Sequence, residues 1–403
     1  MRKLAVLACA AALVAASCTS GGPGKPGKSP TPAASQHYAV SVDASPQTVT
    51  YNGSSVTVPL VADLFFPSAL SVHPGDSVTF NASSNGNVHT VTLGTLIDQA
   101  ASAPNPLPSP SRGVQSPTGA AAAAAEVPGF FQSGYPGIHS DAVASAAQPC
   151  FLSTGVPPQS AACPQVAQPD FNGAQAFYNS GWLAPGSSFT LTVSASTPPG
   201  TYQFRDLAHP EMTGALTVVP TAEPIPPPSQ VASTGTSQLQ AAALAQAPAA
   251  TEAATVTTTL VAGISEVGVT NTFVAAFGPP TLTVTAGATV AWNVFGEQAI
   301  AIDPPPGATG LLTRSSSGAV HVNSAVITHS GGFSGPPGPA PRPETVNGES
   351  YATTGFHNSG LMVSGPPNLL TYILRFVDPG TFTVQSLTYP SMTETINVVS
   401  SHS

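Results

Sequence analysis

Charged side chains are scarce in this chain. Asp, Glu, Lys and Arg make up 7% of its 403 residues, where an ordinary soluble domain carries about 25%. Only 9 residues are basic, they are scattered, and the net charge is −9. No positive stripe exists to neutralise phosphates, which excludes a nucleic-acid binder. Cysteine is almost missing, with 4 in all, and none stands at metal-ligand spacing from another. The apolar run Leu4–Ala16 is too short for a helix that must cross a bilayer with about 20 residues. Also absent are a G-x-S-x-G elbow, an H-E-x-x-H pair, a phosphate-binding glycine loop and carboxylates paired for acid-base work, so the sequence points away from an enzyme. Proline and glycine, by contrast, are abundant at 44 and 37 residues, which favours short strands and many turns over long helices.

What is present begins with an export signal. Met1-Arg2-Lys3 is a charged start, Leu4–Ala16 is apolar, and Ala15-Ala16-Ser17-Cys18 closes the segment. Small residues directly before a cysteine resemble the bacterial lipobox, which implies that Cys18 is acylated and becomes the new N-terminus after cleavage. A simple secretion signal cut nearby is the alternative. Either way the protein is exported, and the lipobox places it on the outer face of the cell membrane. Residues 19–36 hold no apolar side chain larger than alanine up to Ser35 and read as a solvated tether. With Cys9 in the signal and Cys18 at its end, only Cys150 and Cys163 remain in the folded part. In an oxidising compartment these most simply form one disulfide.

Composition divides the rest. Residues 37–220 read as a first domain of alternating strands, interrupted at about 96–169 by a Pro- and Ala-rich insertion. Residues 221–254 read as a linker, first Pro-rich and then Ala- and Gln-rich, and 255–403 as a second strand-rich domain. The second repeats the first. Leu70–Asn81 lies over Leu282–Asn293, Asn179-Ser180-Gly181 over Asn358-Ser359-Gly360, and Pro199-Gly200-Thr201-Tyr202 over Pro379-Gly380-Thr381-Phe382. Three anchors in one order indicate a duplicated fold.

These anchors resemble the cupredoxin family of plastocyanin, amicyanin and azurin. Val72-His73-Pro74-Gly75-Asp76-Ser77-Val78-Thr79-Phe80 has the family's strand-turn-strand form, Asn87-Val88-His89 supplies its first histidine, and Asp206-Leu207-Ala208-His209-Pro210-Glu211-Met212 its closing loop. The resemblance implies an all-β fold of two tandem Greek-key sandwiches and a copper site in the first. At the place of the family's thiolate, three residues before the second histidine, stands Asp206. Two imidazoles, a carboxylate and a distant thioether form a harder set than a blue site needs, suited to Cu(II) or Zn(II). His89, Asp206, His209 and Met212 are therefore the candidate metal ligands, and fast electron transfer is not expected. In the second half Gln298, Ser386 and Tyr389 replace the ligands and only Met392 survives.

Singly, His89 could be an interior histidine, His209 a turn cap and Met212 core filler. Together they stand at family spacing. Two readings stay open: a surface-anchored protein that carries or sequesters copper, with a redox or metal-transfer protein as its partner, and a metal-free structural or partner-binding module. A copper oxidase would need further histidines joining its domains, and those are missing. His139 and His357 are expected at the surface.

Two acyl chains hold a protein at a membrane where one binds only marginally. Cell fractionation should therefore find the wild type with the membrane and Cys18→Ala either released or unprocessed; wild type found wholly in the medium would leave only the secretion signal.

Overall fold

Strands form where apolar and polar side chains alternate. The computed structural model describes residues 34–84, 87–102, 168–209, 211–257, 259–314, 320–323, 326, 344–351, 356–365 and 369–401. Cys18, Cys150, Cys163 and His139, with the signal segment and most of the tether and insertion, lie outside the described residues.

The first half contains β1 His37–Val42, β2 Gln47–Tyr51, β3 Ser54–Val58, β4 Leu60–Ala62, β5 Phe65–Phe66, β6 Ala69–Val72, β7 Ser77–Ala82 and β8 Thr92–Leu93. A short helix α1, Thr95–Ser102, opens the insertion, and β9 Tyr178–Asn179, β10 Ser188–Thr192, β11 Gly200–Arg205 and β12 Thr213–Val218 follow it. Next comes α2, Pro228–Thr255. The second half begins with β13 Leu260–Ile264, β14 Thr272–Gly278, β15 Thr281–Thr285, β16 Thr289–Val294, β17 Gly296–Gln298 and β18 Ile300–Ile302. It continues with β19 Leu312–Arg314, β20 Val320–Val322, β21 Glu344–Tyr351, β22 His357–Asn358 and β23 Met362–Ser364. β24 Leu370–Phe376, β25 Gly380–Ser386 and β26 Thr393–Val399 complete it.

The fold is all-β, with two helices among the described residues. In the first sandwich a sheet ordered β10-β7-β1-β5 faces one ordered β6-β12-β11-β8-β9. Tyr38, Val40, Val78 and Phe80 from one sheet meet Leu70, Phe204, Leu216 and Val218 from the other in a single buried core, as the alternating burial of β1, β7 and β12 requires. The second sandwich sets β21-β24-β16-β13-β14-β4 against β15-β26-β25-β18-β22, around Trp292, Tyr372, Phe382 and Ile396.

Two features cross the expected division. β4, from the first half, is the edge strand of the second sandwich, pairing Leu60–Ala62 with β14. Residues 43–64 thus form an arm, with the hairpin β2–β3 in its middle, that leaves the first sandwich and braces the second. Where a linker is expected, α2 runs for 28 residues against β1, β2, β3 and β14. Alanine is the best helix former, and Pro228 sits in the first turn, where its missing N–H costs nothing. Small side chains let the helix approach closely: a Cβ on Gly235 would lie 2.9 Å from the backbone of Phe66. Gln246, wholly buried, donates to Thr272 O and accepts from Glu266 N, tying α2 to the second sandwich. Residues Ser35–Ser403 accordingly form one compact unit.

At positions that the sequence repeat pairs, the hydrogen bonds match. Val91 N donates to Ser180 Oγ and Ile300 N to Ser359 Oγ, each at 2.8 Å. Asp206 N donates to Met212 O and Ser386 N to Met392 O, each at 3.0 Å. The cores differ at the pair that flanks the closing loop. Phe204 faces Gly214 across β11–β12, and a Cβ on that glycine would collide with the Phe204 ring. At the equivalent pair the smaller Val384 faces Glu394, whose Oε2 accepts the Trp292 Nε1–H at 2.7 Å while Oε1 has no hydrogen-bond partner.

Burial raises the Glu394 carboxyl from its usual value to about 7, against the opposing Trp292 hydrogen bond. A carboxyl raised in the folded state contributes stability that is complete below its unfolded pKa and disappears as pH rises through about 7. Urea unfolding should therefore show wild type losing stability relative to Glu394→Gln between pH 5 and 8, by on the order of 3 kcal/mol. Parallel pH profiles for the two proteins would contradict this.

Candidate metal centre

The site is built from two loops at one end of the first sandwich. His89 lies between β7 and β8, where its backbone exchanges hydrogen bonds with Leu183 at 3.2 and 2.7 Å. Asp206 and His209 lie in the loop between β11 and β12, closed by Asp206 N donating to Met212 O and Met212 N donating to His209 O. Thr90 links the loops: its Oγ1 accepts from Leu207 N at 2.7 Å and donates to Asp206 Oδ1 at 3.0 Å.

Asp206 is the centre of the arrangement. Its Oδ2 stands 2.7 Å from His89 Nδ1 and 2.7 Å from His209 Nδ1. Its Oδ1 accepts from Thr90 N, Thr90 Oγ1 and Ala208 N at 2.9–3.0 Å. The two imidazole nitrogens and the carboxylate oxygen all lie within 4.8 Å of one another, and all three residues are buried. Among the described residues this is the one group of three or more His, Cys, Asp and Glu able to hold a metal ion.

Acids line the outer nitrogens of both rings. Asp43 Oδ2 is 3.4 Å from His89 Nε2, and neither atom has a hydrogen-bond partner. The other Asp43 oxygen is fixed by Ala44 N and Ala62 N at the base of the arm. His209 Nε2 is 3.3 Å from Glu297 Oε1 and 3.9 Å from Asp63 Oδ1. Asn87 Nδ2, which donates to Glu297 Oε2, lies 2.9 Å from the same nitrogen, and that contact is a hydrogen bond only while Nε2 carries no proton.

The electrostatics follow from this crowding. Burial opposes a charge on His89, but the Asp206 and Asp43 carboxylates outweigh it and push its pKa up to about 9. Burial likewise opposes His209, and Asp63, Glu297 and Asp206 raise it well above its ordinary value. Burial would raise Asp206, yet the two histidines hold it far below the usual carboxylate range. Asp63 moves up to about 7, through burial and then the neighbouring Glu297 and Glu211, despite His209.

The donors suit a borderline divalent ion. A first-row ion bonds imidazole nitrogen and carboxylate oxygen at about 2.0–2.2 Å, so its ligand atoms stand about 3–3.5 Å apart. Loading requires both Nδ1 protons to leave and the two 2.7 Å contacts to open slightly. Because Oδ1 is held by three donors, Oδ2 alone remains to ligate.

Of the residues expected from sequence, His89, Asp206 and His209 converge. Met212 is wholly buried, its backbone closes the loop, and its side chain packs in the core of the first sandwich. In the second half Ser386 Oγ donates to Gln298 Oε1 at 2.9 Å and accepts from Tyr389 N at 3.2 Å, a hydrogen-bonded plug at the equivalent place. His357, expected at the surface, is buried where β22 pairs with β18. Asn87, Asp43, Asp63 and Glu297 escape sequence reasoning. Asn87 alone carried a signal, two residues from His89.

No protein-family model and no curated protein matches the chain. Among solved structures, a dithionite-reduced auracyanin from the photosynthetic bacterium Roseiflexus castenholzii is 17% identical, covering 46% of this chain and 99% of its own with a TM-score of 0.21. Auracyanin B is 22% identical over 48% of this chain and 93% of its own, TM-score 0.20. A blue copper oxidase from Nitrosomonas europaea is 13% identical over 91% of this chain and 86% of its own, TM-score 0.19. At these TM-scores the likenesses assign no activity.

Asp206→Asn would set an amide N–H against groups that donate to the carboxylate and leave the cationic rings without their shared counter-charge. Urea unfolding of the metal-free protein at neutral pH should show a loss of about 3–5 kcal/mol, as for breaking a buried ion pair. A loss under about 1 kcal/mol would mean that the carboxylate does not hold the loops together.

Proposed function

We propose that this is an exported, cupredoxin-like protein in which His89 Nδ1, His209 Nδ1 and Asp206 Oδ2 would hold one divalent copper ion, or zinc, while the Met212 side chain stays in the core of the first sandwich. The convergence of those three donors within 4.8 Å of one another supports this reading most directly. Without a thiolate the complex lacks the bond that gives a blue site its colour and tunes its potential, so carriage or sequestration fits better than electron transfer. His89 and His209 are 1% and 3% exposed, so an ion held there would be shielded from water. The lipid on Cys18 would hold the protein at the membrane face, where a redox or metal-transfer protein could exchange the ion.

A second reading, a metal-free module, is favoured by one observation. Asp206 already accepts five hydrogen bonds, so the site closes without an ion.

Calorimetry of the ectodomain with Cu(II) separates the two. Binding of about one ion, pale and without thiolate charge-transfer absorption, and its loss in a His89→Ala, His209→Ala double variant, is the expected result. Equal binding by both proteins, or none by wild type, would favour the metal-free module.

A further inference from the structure

A carboxylate buried in an apolar contact must have partners there, since an unpaired buried charge is costly. Glu297 is such a group. It lies in β17 of the second sandwich and is 8% exposed. The wall beside it is apolar and comes from both halves: Val88, Leu207 and Ala208 of the first meet Leu361, Val363 and Leu387 of the second in one buried cluster. The chain aims it there by a sharp turn. Gly296 has φ +77°, and a Cβ at that position would lie 2.5 Å from the Phe273 ring. The partners of Glu297 belong to the first sandwich: Asn87 Nδ2, and His209 Nε2 at 3.3 Å. Asn87 is itself oriented, because Val88 N donates to its Oδ1 at 2.9 Å, which turns Nδ2 toward the carboxylate.

Among the described residues the second half has no group able to hold an ion that would use this acid, and its neighbour Gln298 occupies the place of His89 and bonds Ser386. His89 already has a carboxylate on its outer nitrogen from its own half, Asp43. His209 receives its closest one from across the contact.

We infer that Glu297 of the second sandwich is a positioning residue for His209 of the first, holding the ring from Nε2 so that Nδ1 faces Asp206 and the metal position. A carboxylate on the outer nitrogen of a ligating imidazole fixes ring orientation and strengthens the ligand, and its loss typically costs 10–100-fold in metal affinity. The consequence for copper rests on the proposed metal-binding role; the contact with His209 does not. The second sandwich then completes a site to which it gives no ligand.

The test uses the ectodomain, labelled with 15N-histidine, as wild type, Glu297→Gln, Glu297→Asp and Leu361→Ala. The last loosens the same apolar contact while keeping every carboxylate and imidazole of the site. In metal-free protein the His209 Nε2 resonance should shift in Glu297→Gln, return toward wild type in Glu297→Asp and stay in place in Leu361→Ala. With Cu(II), Glu297→Gln should bind about 10–100-fold more weakly with altered EPR hyperfine splitting, and Leu361→Ala should match wild type in both. An unmoved Nε2 resonance in Glu297→Gln, or one moved equally by Leu361→Ala, overturns the inference. Wild type that binds copper, with Glu297→Gln binding equally and giving the same spectrum, overturns it while the metal-binding reading stands. If wild type binds no Cu(II), that reading fails and the metal-free resonances alone decide the contact.

Discussion

A carboxylate with no access to water must be surrounded by donors, and Asp206 is. With one oxygen it receives both imidazole Nδ1 groups, and with the other two backbone amides and a threonine hydroxyl. Taking such a charge out of water costs several kcal/mol, repaid only by this degree of pairing. The demand fixes the conformation of both loops. His89 and Thr90 must approach from one side, and the turn from Asp206 to Met212 must fold back on itself to present Ala208 N and the His209 ring. An ion placed here would compete with protons for the two Nδ1 atoms. The acids around the rings retain the protons, and they would equally offset the charge of a divalent ion.

The second dependence is on neighbours that are not in the loops. Asp43 and Asp63 stand at the two ends of the arm 43–64, which continues into the second sandwich as β4. Glu297 comes from that sandwich itself. The arm, α2 and the apolar contact therefore do more than join two folds, since they deliver negative charge to the outer faces of two histidines and exclude water there. The second half keeps the backbone hydrogen bonds of the first at the equivalent loop but has filled its own centre with Gln298, Ser386 and Tyr389. Leu361, Val363 and Leu387 at that end pack against Val88, Leu207 and Ala208 of the first half.

Much of this was legible in the sequence because it is local or repeated. Strand alternation in Tyr38–Val42 and Ser77–Ala82 follows from the period-2 geometry of a half-buried strand. Asp206, His209 and Met212 are three residues apart in one loop, and the resemblance that flagged them fixed their relation to His89. The glutamine and alanine of 238–250 misled, since a Pro-rich approach hid a helix whose stability comes from packing Ala243, Ala247 and Ala250 under the hairpin.

The sequence by itself determined the all-β class, which follows from strand alternation along the chain, and the resemblance to the cupredoxin loops singled out His89, Asp206 and His209. Only the tertiary structure decided that Asp206 bonds both rings at once, that Asp43 and Asp63 flank them and that Glu297 reaches His209 from the other half. Asp43 and His89 are separated by 46 residues, and Glu297 and His209 by 88. No periodicity spans such intervals, and a lone acid on a short strand carries no local signature of what it will face once two sandwiches close on one another.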